Sequence, residues 1–172
     1  MSSVDEVGLA DAAHALRDEF DASFAAPPRP RAARQHAFIA VRVSAHPYAF
    51  RLSDIVRVYR DPPLLELMND APAFVGLARF HRTVAPVFAL RALLGYGEGT
   101  ELRWAVLTNM PLVGFAFDAF EGQITAPAED VLPEATGEGG RRFLCGTVRV
   151  RGEARPIVHV PSLVKAIEET WR

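Results

Sequence analysis

The chain has 172 residues, 49% hydrophobic and 23% charged: enough apolar material for one well-buried core or two small ones, and too much for a disordered polypeptide. A formal net charge of -2 gives no overall attraction to phosphate backbones, so a nucleic-acid partner is not expected. A single cysteine, Cys145, excludes an internal disulfide.

From the N-terminus, "MSSVDEVGLADAAHALRDEF" lacks the basic and apolar regions of a secretory signal. No run approaches the ~20 apolar residues of a membrane-spanning helix. A cytoplasmic protein without direct membrane insertion is the simplest expectation. Leu9, Ala13, Leu16, Phe20 and Phe24 recur at helical spacing among acidic neighbours, and Ser3 with Glu6 fits a capping box, so an amphipathic helix is predicted. "AAPPRPRAAR" ends it, because proline has no amide donor and disfavours helix in the residue before it. Residues 1–35 therefore read as a helix plus a stiff Pro/Arg-rich linker, and residues 36–172 as a separate domain.

From Phe38 the period changes to two. "FIAVRV", "YAFRL", "WAVLT", "LVGFAF", "TVRVRG" and "RPIVHV" read as short strands between Pro, Gly and Asp signals. "FALRALLG" and "VPSLVKAIEETW" carry short helical patterns, the first stopped by Gly95. The domain is predicted to be mainly β with short helices.

Its two halves match. Phe74 to Leu94 superposes on Leu144 to Val164 without a gap, placing Gly76 on Gly146, Arg79 on Arg149, Pro86 on Pro156 and Leu93 on Leu163. Upstream, "YAFRLSDIVRV" lies alongside "VGFAFDAFEGQI". A duplicated unit too small to bury its own core must pack against its twin. At the hairpin turn the second copy has Arg151-Gly152, where glycine supplies a positive φ, and the first has His81-Arg82. The basic knot of Arg79, His81 and Arg82 is thus expected to project from a turn of altered type or length.

Residues for catalysis or ligand chemistry do not assemble. His14, His36, His46, His81 and His159 show no metal-ligand spacing, and no serine stands in a nucleophile elbow. "GYGEG" follows a helix and so is no phosphate cradle. Cys145, aligned with Val75, reads as a core thiol, and a hydrolase pairing it with a histidine is the outsider. No catalytic residue, cofactor or metal is predicted, and the chain is not expected to be an enzyme.

Residues 38–166 resemble the CheW-like domain of bacterial chemosensory adaptors. "YAFRLSDIVRVYR" resembles that family's first strands and its V-x-E-V stretch. "APAFVGLARFHRTVAPVFALRALLG" resembles its P-x-x-V-x-G-x-x-N-L-R-G-x-x-x-P-V-x-D-L-R segment. "VGFAFDAFEGQI", with Asp118, and "FLCGTVRVRGEARPIVHVPSLV" resemble its two later segments. The resemblance implies two intertwined SH3-like β-barrels and a non-enzymatic scaffold. Its implied partners are the cytoplasmic tip of a chemoreceptor, met at the groove between the barrels, and the regulatory domain of a histidine autokinase. Arg79-Phe80-His81-Arg82 stands where the family has N-L-R-G, Ala89 replaces an acid, and Val58 replaces the acid of V-x-E-V. The implied partner-binding residues are Val56, Val58, Arg79, Phe80, His81 and Arg82, with Val56 and Phe80 as apolar anchors, although as strand residues both also suit a core. The departures leave open a different protein partner, with the N-terminal helix as docking element or plug.

Overall fold

Residues alternating in type along a strand send neighbours to opposite faces, and here both faces are often apolar. In a computed structural model describing residues 35–67, 73–97, 102–109, 111–134 and 142–170, strand β1 (Gln35–Val43) turns Phe38 into one buried cluster and Ile39, Val41 and Val43 into another. A strand covered on both sides loses the polar half of its alternation, which is why "FIAVRV" is nearly continuous in apolar residues.

The remaining elements are β2 (His46–Arg51), β3 (Ile55–Arg60), β4 (Leu64–Leu65), β5 (Phe74–Phe80), β6 (Thr83–Ala89), one turn of helix α1 (Leu90–Leu93), β7 (Trp104–Thr108), β8 (Gly114–Phe117), β9 (Ala119–Pro127), β10 (Val131–Pro133), β11 (Leu144–Val150), β12 (Glu153–Val158) and helix α2 (Val160–Thr170). Short 3-10 turns, Leu52–Asp54 and Ala128–Asp130, follow β2 and β9. The strands form two six-stranded sheets, ordered β10-β11-β12-β2-β1-β9 and β4-β5-β6-β8-β7-β3.

Those orders are one pattern with the halves exchanged. Each sheet takes two strands from one half of the chain and four from the other, joined by a parallel pair: Val158 beside Phe50 in the first sheet and Phe88 beside Phe115 in the second. Their bulges correspond too, since the β1–β9 register slips at Glu121 and the β3–β7 register at Val56. Both sheets curl into barrels. In the second, Tyr59 of β3 meets Phe80 of β5 at 4.8 Å between ring centroids although three strands separate them in the sheet order. In the first, Glu121 of β9 reaches Arg155 of β12. The fold is mainly β, as expected from the period; the expected N-terminal helix and its linker lie outside the described residues.

Three apolar clusters result. Ala78, Phe80, Ala85, Val87, Ala105, Leu107 and Ala116 fill the second barrel, and Phe38, Ala49, Ala126, Val148 and Ile157 fill the first. The largest cluster belongs to neither alone: Ile39, Val41, Phe50 and Val158 from the first sheet pack with Phe88, Val106, Phe115 and Phe117 from the second, under Leu163, Val164 and Ile167 of α2. The helical pattern "FALRALLG" resolves differently from the expectation. Phe88 and Ala89 still pair in the sheet, and only Leu90–Leu93 turns helical before Gly95 at φ +84°.

The aligned glycines have one shared task. Gly76 at φ +149° and Gly146 at φ +154° sit where the hairpin passes under the preceding edge strand, and a Cβ at each would lie 2.3 Å from the Leu65 carbonyl oxygen and 2.6 Å from that of Leu132. Backbone cannot retreat as a side chain can. Gly76→Ala and Gly146→Ala are each expected to cost at least about 2 kcal/mol in urea unfolding. Gly97→Ala, with positive φ but open space around it, is expected to cost about 1 kcal/mol.

Candidate functional site

The β5–β6 hairpin keeps a two-residue turn despite lacking glycine. Phe80 pairs with Thr83, and His81 alone adopts the left-handed conformation, at φ +55°. In the matching turn both Arg151 and Gly152 have positive φ. Histidine tolerates this region better than most side chains, and its ring is held from two sides. Arg57 of β3 lies 2.8 Å from His81 Nε2, and the Tyr59 ring meets the imidazole edge-on at 6.1 Å. Since guanidinium only donates, Nε2 is the acceptor of this bond.

This turn gathers most of the predicted residues. Arg79, His81 and Arg82 are exposed and Val56 is 54% exposed. The bulge explains Val56: it is the extra residue on β3, with no partner on β7, so it projects outward instead of filling the barrel. Val58 is half-buried against the shared cluster. Phe80 corrects the expectation of an exposed anchor. At 2% exposure it packs with Ala85 and Val87 inside the second barrel and stacks obliquely on Tyr59, because it lies on the inward face of a strand whose next residue is the turn. Two contributors escaped the sequence reading. Arg57 sits on a strand remote in sequence and meets His81 only through barrel closure. Val84, 62% exposed, stands opposite Arg79 across the hairpin. The tip is thus a basic surface carrying two exposed valines, with Leu65 (61% exposed) further along the same barrel on β4.

The corresponding end of the first barrel has opposite chemistry. Glu121 occupies the bulge position matching Val56, and Ile124 and Val150 match Tyr59 and Phe80. Arg155, 7% exposed, replaces Ala85. Arg155 pairs with Glu121 at 2.5 Å and with Glu153, and Arg42 pairs with the same two carboxylates at 2.6 and 3.2 Å. Four charges close a ring within a cleft of about 540 Å³. Burial pushes the Glu121 carboxyl up, but hydrogen bonds and charge from Arg155 and Arg42 outweigh it and leave its pKa below the ordinary carboxylate value. The ring answers its own charges.

Asp118, His159 and Cys145 are each engaged within the scaffold. Asp118 Oδ2 accepts the Ser44 amide at 2.5 Å, fixing the β1–β2 turn in which Ser44 and Ala45 have positive φ. His159 Nδ1 lies 2.6 Å from Ser162 Oγ at the start of α2. Cys145 is half-buried against the first barrel's interior, as Val75 is against the second. Among the described residues no three His, Cys, Asp or Glu side chains form a metal-binding group, and no helix is long and apolar enough to cross a membrane.

Paired barrels that exchange strands, with one end displaying arginines and valines, define a module built to present surface. The chain belongs to the CheW-like domain family, whose model matches residues 37–168. Among solved structures it is similar to the scaffolding protein TtCheW from Thermoanaerobacter tengcongensis, with a TM-score of 0.65 and 14% identity over 73% of this chain and 89% of that one. At that identity the likeness is one of fold. No curated protein matches the chain by sequence.

Two outcomes check this geometry. Phe80→Ala should destabilise the protein by about 3–5 kcal/mol, whereas Val56→Ala should leave the urea midpoint nearly unchanged. Because Glu121 has a lowered pKa when folded, its ionised form stabilises the fold above the unfolded carboxylate pKa of about 4.3, and this is lost as pH falls through the folded value. The stability gap between the parent and Glu121→Gln should be full at neutral pH and shrink below about pH 4.3; a gap independent of pH would contradict the ring.

Proposed function

We propose that this chain is a non-catalytic adaptor of bacterial chemosensory signalling. It couples the cytoplasmic tip of a chemoreceptor to the regulatory domain of a histidine autokinase by surface complementarity alone. The observation that carries the reading is the family match over residues 37–168. The likeness to a protein described as a scaffold supports it. In this reading residues 36–172 are the docking domain and residues 1–35 a tethered helix, the protein is cytoplasmic, and its partners recruit it to membrane-associated arrays. No cofactor or metal takes part.

The partner-binding face comprises Val56, the exposed edge of Val58, Arg79, His81 and Arg82, extended by Arg57 and Val84. Arginine's planar fork pairs with carboxylates, and exposed valines beside it supply the apolar contact that a helical partner needs. Phe80 supports this face from beneath. The bond between Arg57 and His81 gives the departure from N-L-R-G a defined shape. That favours a second reading in which the tip engages another acidic protein, with residues 1–35 as docking element or plug.

Binding to a chemoreceptor cytoplasmic tip and to the regulatory domain of a histidine autokinase, measured by calorimetry, separates the readings. The adaptor reading expects both to bind. It also expects Arg79→Glu combined with Arg82→Glu to weaken one of them at least about tenfold, roughly 1.4 kcal/mol, and to flatten its salt dependence. Folded protein that binds neither would end the adaptor reading. Removal of residues 1–35 should tighten binding if they plug the face and weaken it if they dock.

A further inference from the structure

Among the described residues, only the β1–β2 turn holds two consecutive non-glycine residues in the left-handed region, Ser44 at φ +49° and Ala45 at φ +68°. Asn-Gly adopts this turn readily; Ser-Ala adopts it at a cost. Three side-chain bonds hold it there. Asp118, between β8 and β9, accepts the Ser44 amide at 2.5 Å, Arg91 Nη2 of α1 donates to Ser44 Oγ at 3.1 Å, and Arg42 Nη1 donates to the Ala45 carbonyl at 2.9 Å.

Two of those bonds leave a better match unmade. Arg91 and Asp118 carry opposite charges and both bind Ser44, yet they are not joined to each other. Arg91 Nε is buried and meets no acceptor among the described residues. A buried N–H without a partner is costly, and a forked guanidinium–carboxylate pair exceeds a single bond to a neutral group. The third bond opposes that match. Arg42 is a corner of the charged ring, its Nε 2.6 Å from Glu121 and its Nη2 3.2 Å from Glu153. With two nitrogens fixed to carboxylates of β9 and β12, its remaining one is held on Ala45. The ring thereby clamps a strained turn.

We propose that the β1–β2 turn is a two-state switch governed by the ring: while Arg42 is held, Ser44 stands between Arg91 and Asp118, and when Arg42 is released the turn relaxes, Ser44 withdraws and Arg91 forks onto Asp118. The state of the first barrel's mouth is thereby passed to α1, the helix that leaves β6 of the second barrel. Tyr96, just beyond α1, stacks on His46 directly after the turn at 5.2 Å and moves with it. The turn is an element with two arrangements that both barrels bias, which is what coupling between distant faces requires. It operates whichever partner the tip binds.

The side-chain Nε–H resonance of Arg91 in the isotope-labelled full chain, identified as the one lost in Arg91→Lys, reads the state. It has no acceptor while the ring holds Arg42 and gains Asp118 on release. Raising NaCl from about 0.05 M to about 1 M screens the half-exposed pair of Arg42 and Glu153. This is expected to slow hydrogen exchange at Arg91 Nε at least about tenfold, and Arg42→Gln should slow it similarly at low salt. Ala45→Gly, which removes the cost of the left-handed turn, should suppress both responses. Asp118→Asn, which keeps an acceptor for Ser44 without the charge, should suppress them too. Exchange unmoved by salt and by Arg42→Gln, or a response undiminished by Asp118→Asn, would overturn the proposal. Should Arg42→Gln fail to fold, the salt series in the parent and in Ala45→Gly decides alone: no slowing in the parent, or equal slowing in both, overturns it.

Discussion

Two short parallel pairings, β2 beside β12 and β6 beside β8, join strands from opposite halves of the chain. Everything else in the domain is arranged around them. Each half alone would leave an open sheet with a bare apolar edge, a form prone to pairing with other chains. Exchanging two strands closes both barrels at once and brings Phe50, Phe88, Phe115 and Val158 into one cluster. Parallel pairing requires a long crossover, and the segment from β2 to β12 supplies it by building the second barrel on the way. The shared cluster is therefore a consequence of topology, and neither barrel can open without disturbing the other.

Within that common frame the two copies have drifted in chemistry. At one bulge stands Val56, at the other Glu121. Behind the first, Tyr59 and Phe80 seal the barrel with aromatic rings, so the surface above is free to carry arginines. Behind the second, Ile124 and Val150 are smaller, and the space is taken by Arg155, which must be answered by Glu121 and Glu153 because an unpaired buried charge is costly. One end spends its charge on itself and the other displays it. This asymmetry, laid on a symmetric scaffold, gives an adaptor two distinguishable ends.

The tip illustrates how a turn acquires a defined shape through its support. Its turn residue His81 is strained, yet Arg57 and Tyr59 hold the ring from a strand adjacent only because the sheet curls. Val84 is aimed outward by pairing with Arg79. The exposed tip is thus composed from three strands and a turn, set by the closure of a barrel whose interior is completed by Phe80.

Local pattern sufficed for much of this. Period-two alternation marked the strands, the gapless match of Gly76 with Gly146 and Pro86 with Pro156 marked the duplication, and "VPSLVKAIEETW" marked α2, because each signal is carried by residues near one another in the chain. The basic knot was legible for the same reason. What the alternation could not assign was which apolar face of a doubly covered strand meets which core, so Phe80 could read as anchor as easily as interior. Nor could it assign the partners of Arg57, Arg155 and Glu121, which meet across strands far apart in sequence. Those assignments waited on barrel closure and strand exchange, since burial and pairing between distant segments are properties of the assembled fold and leave no trace in the spacing of neighbours.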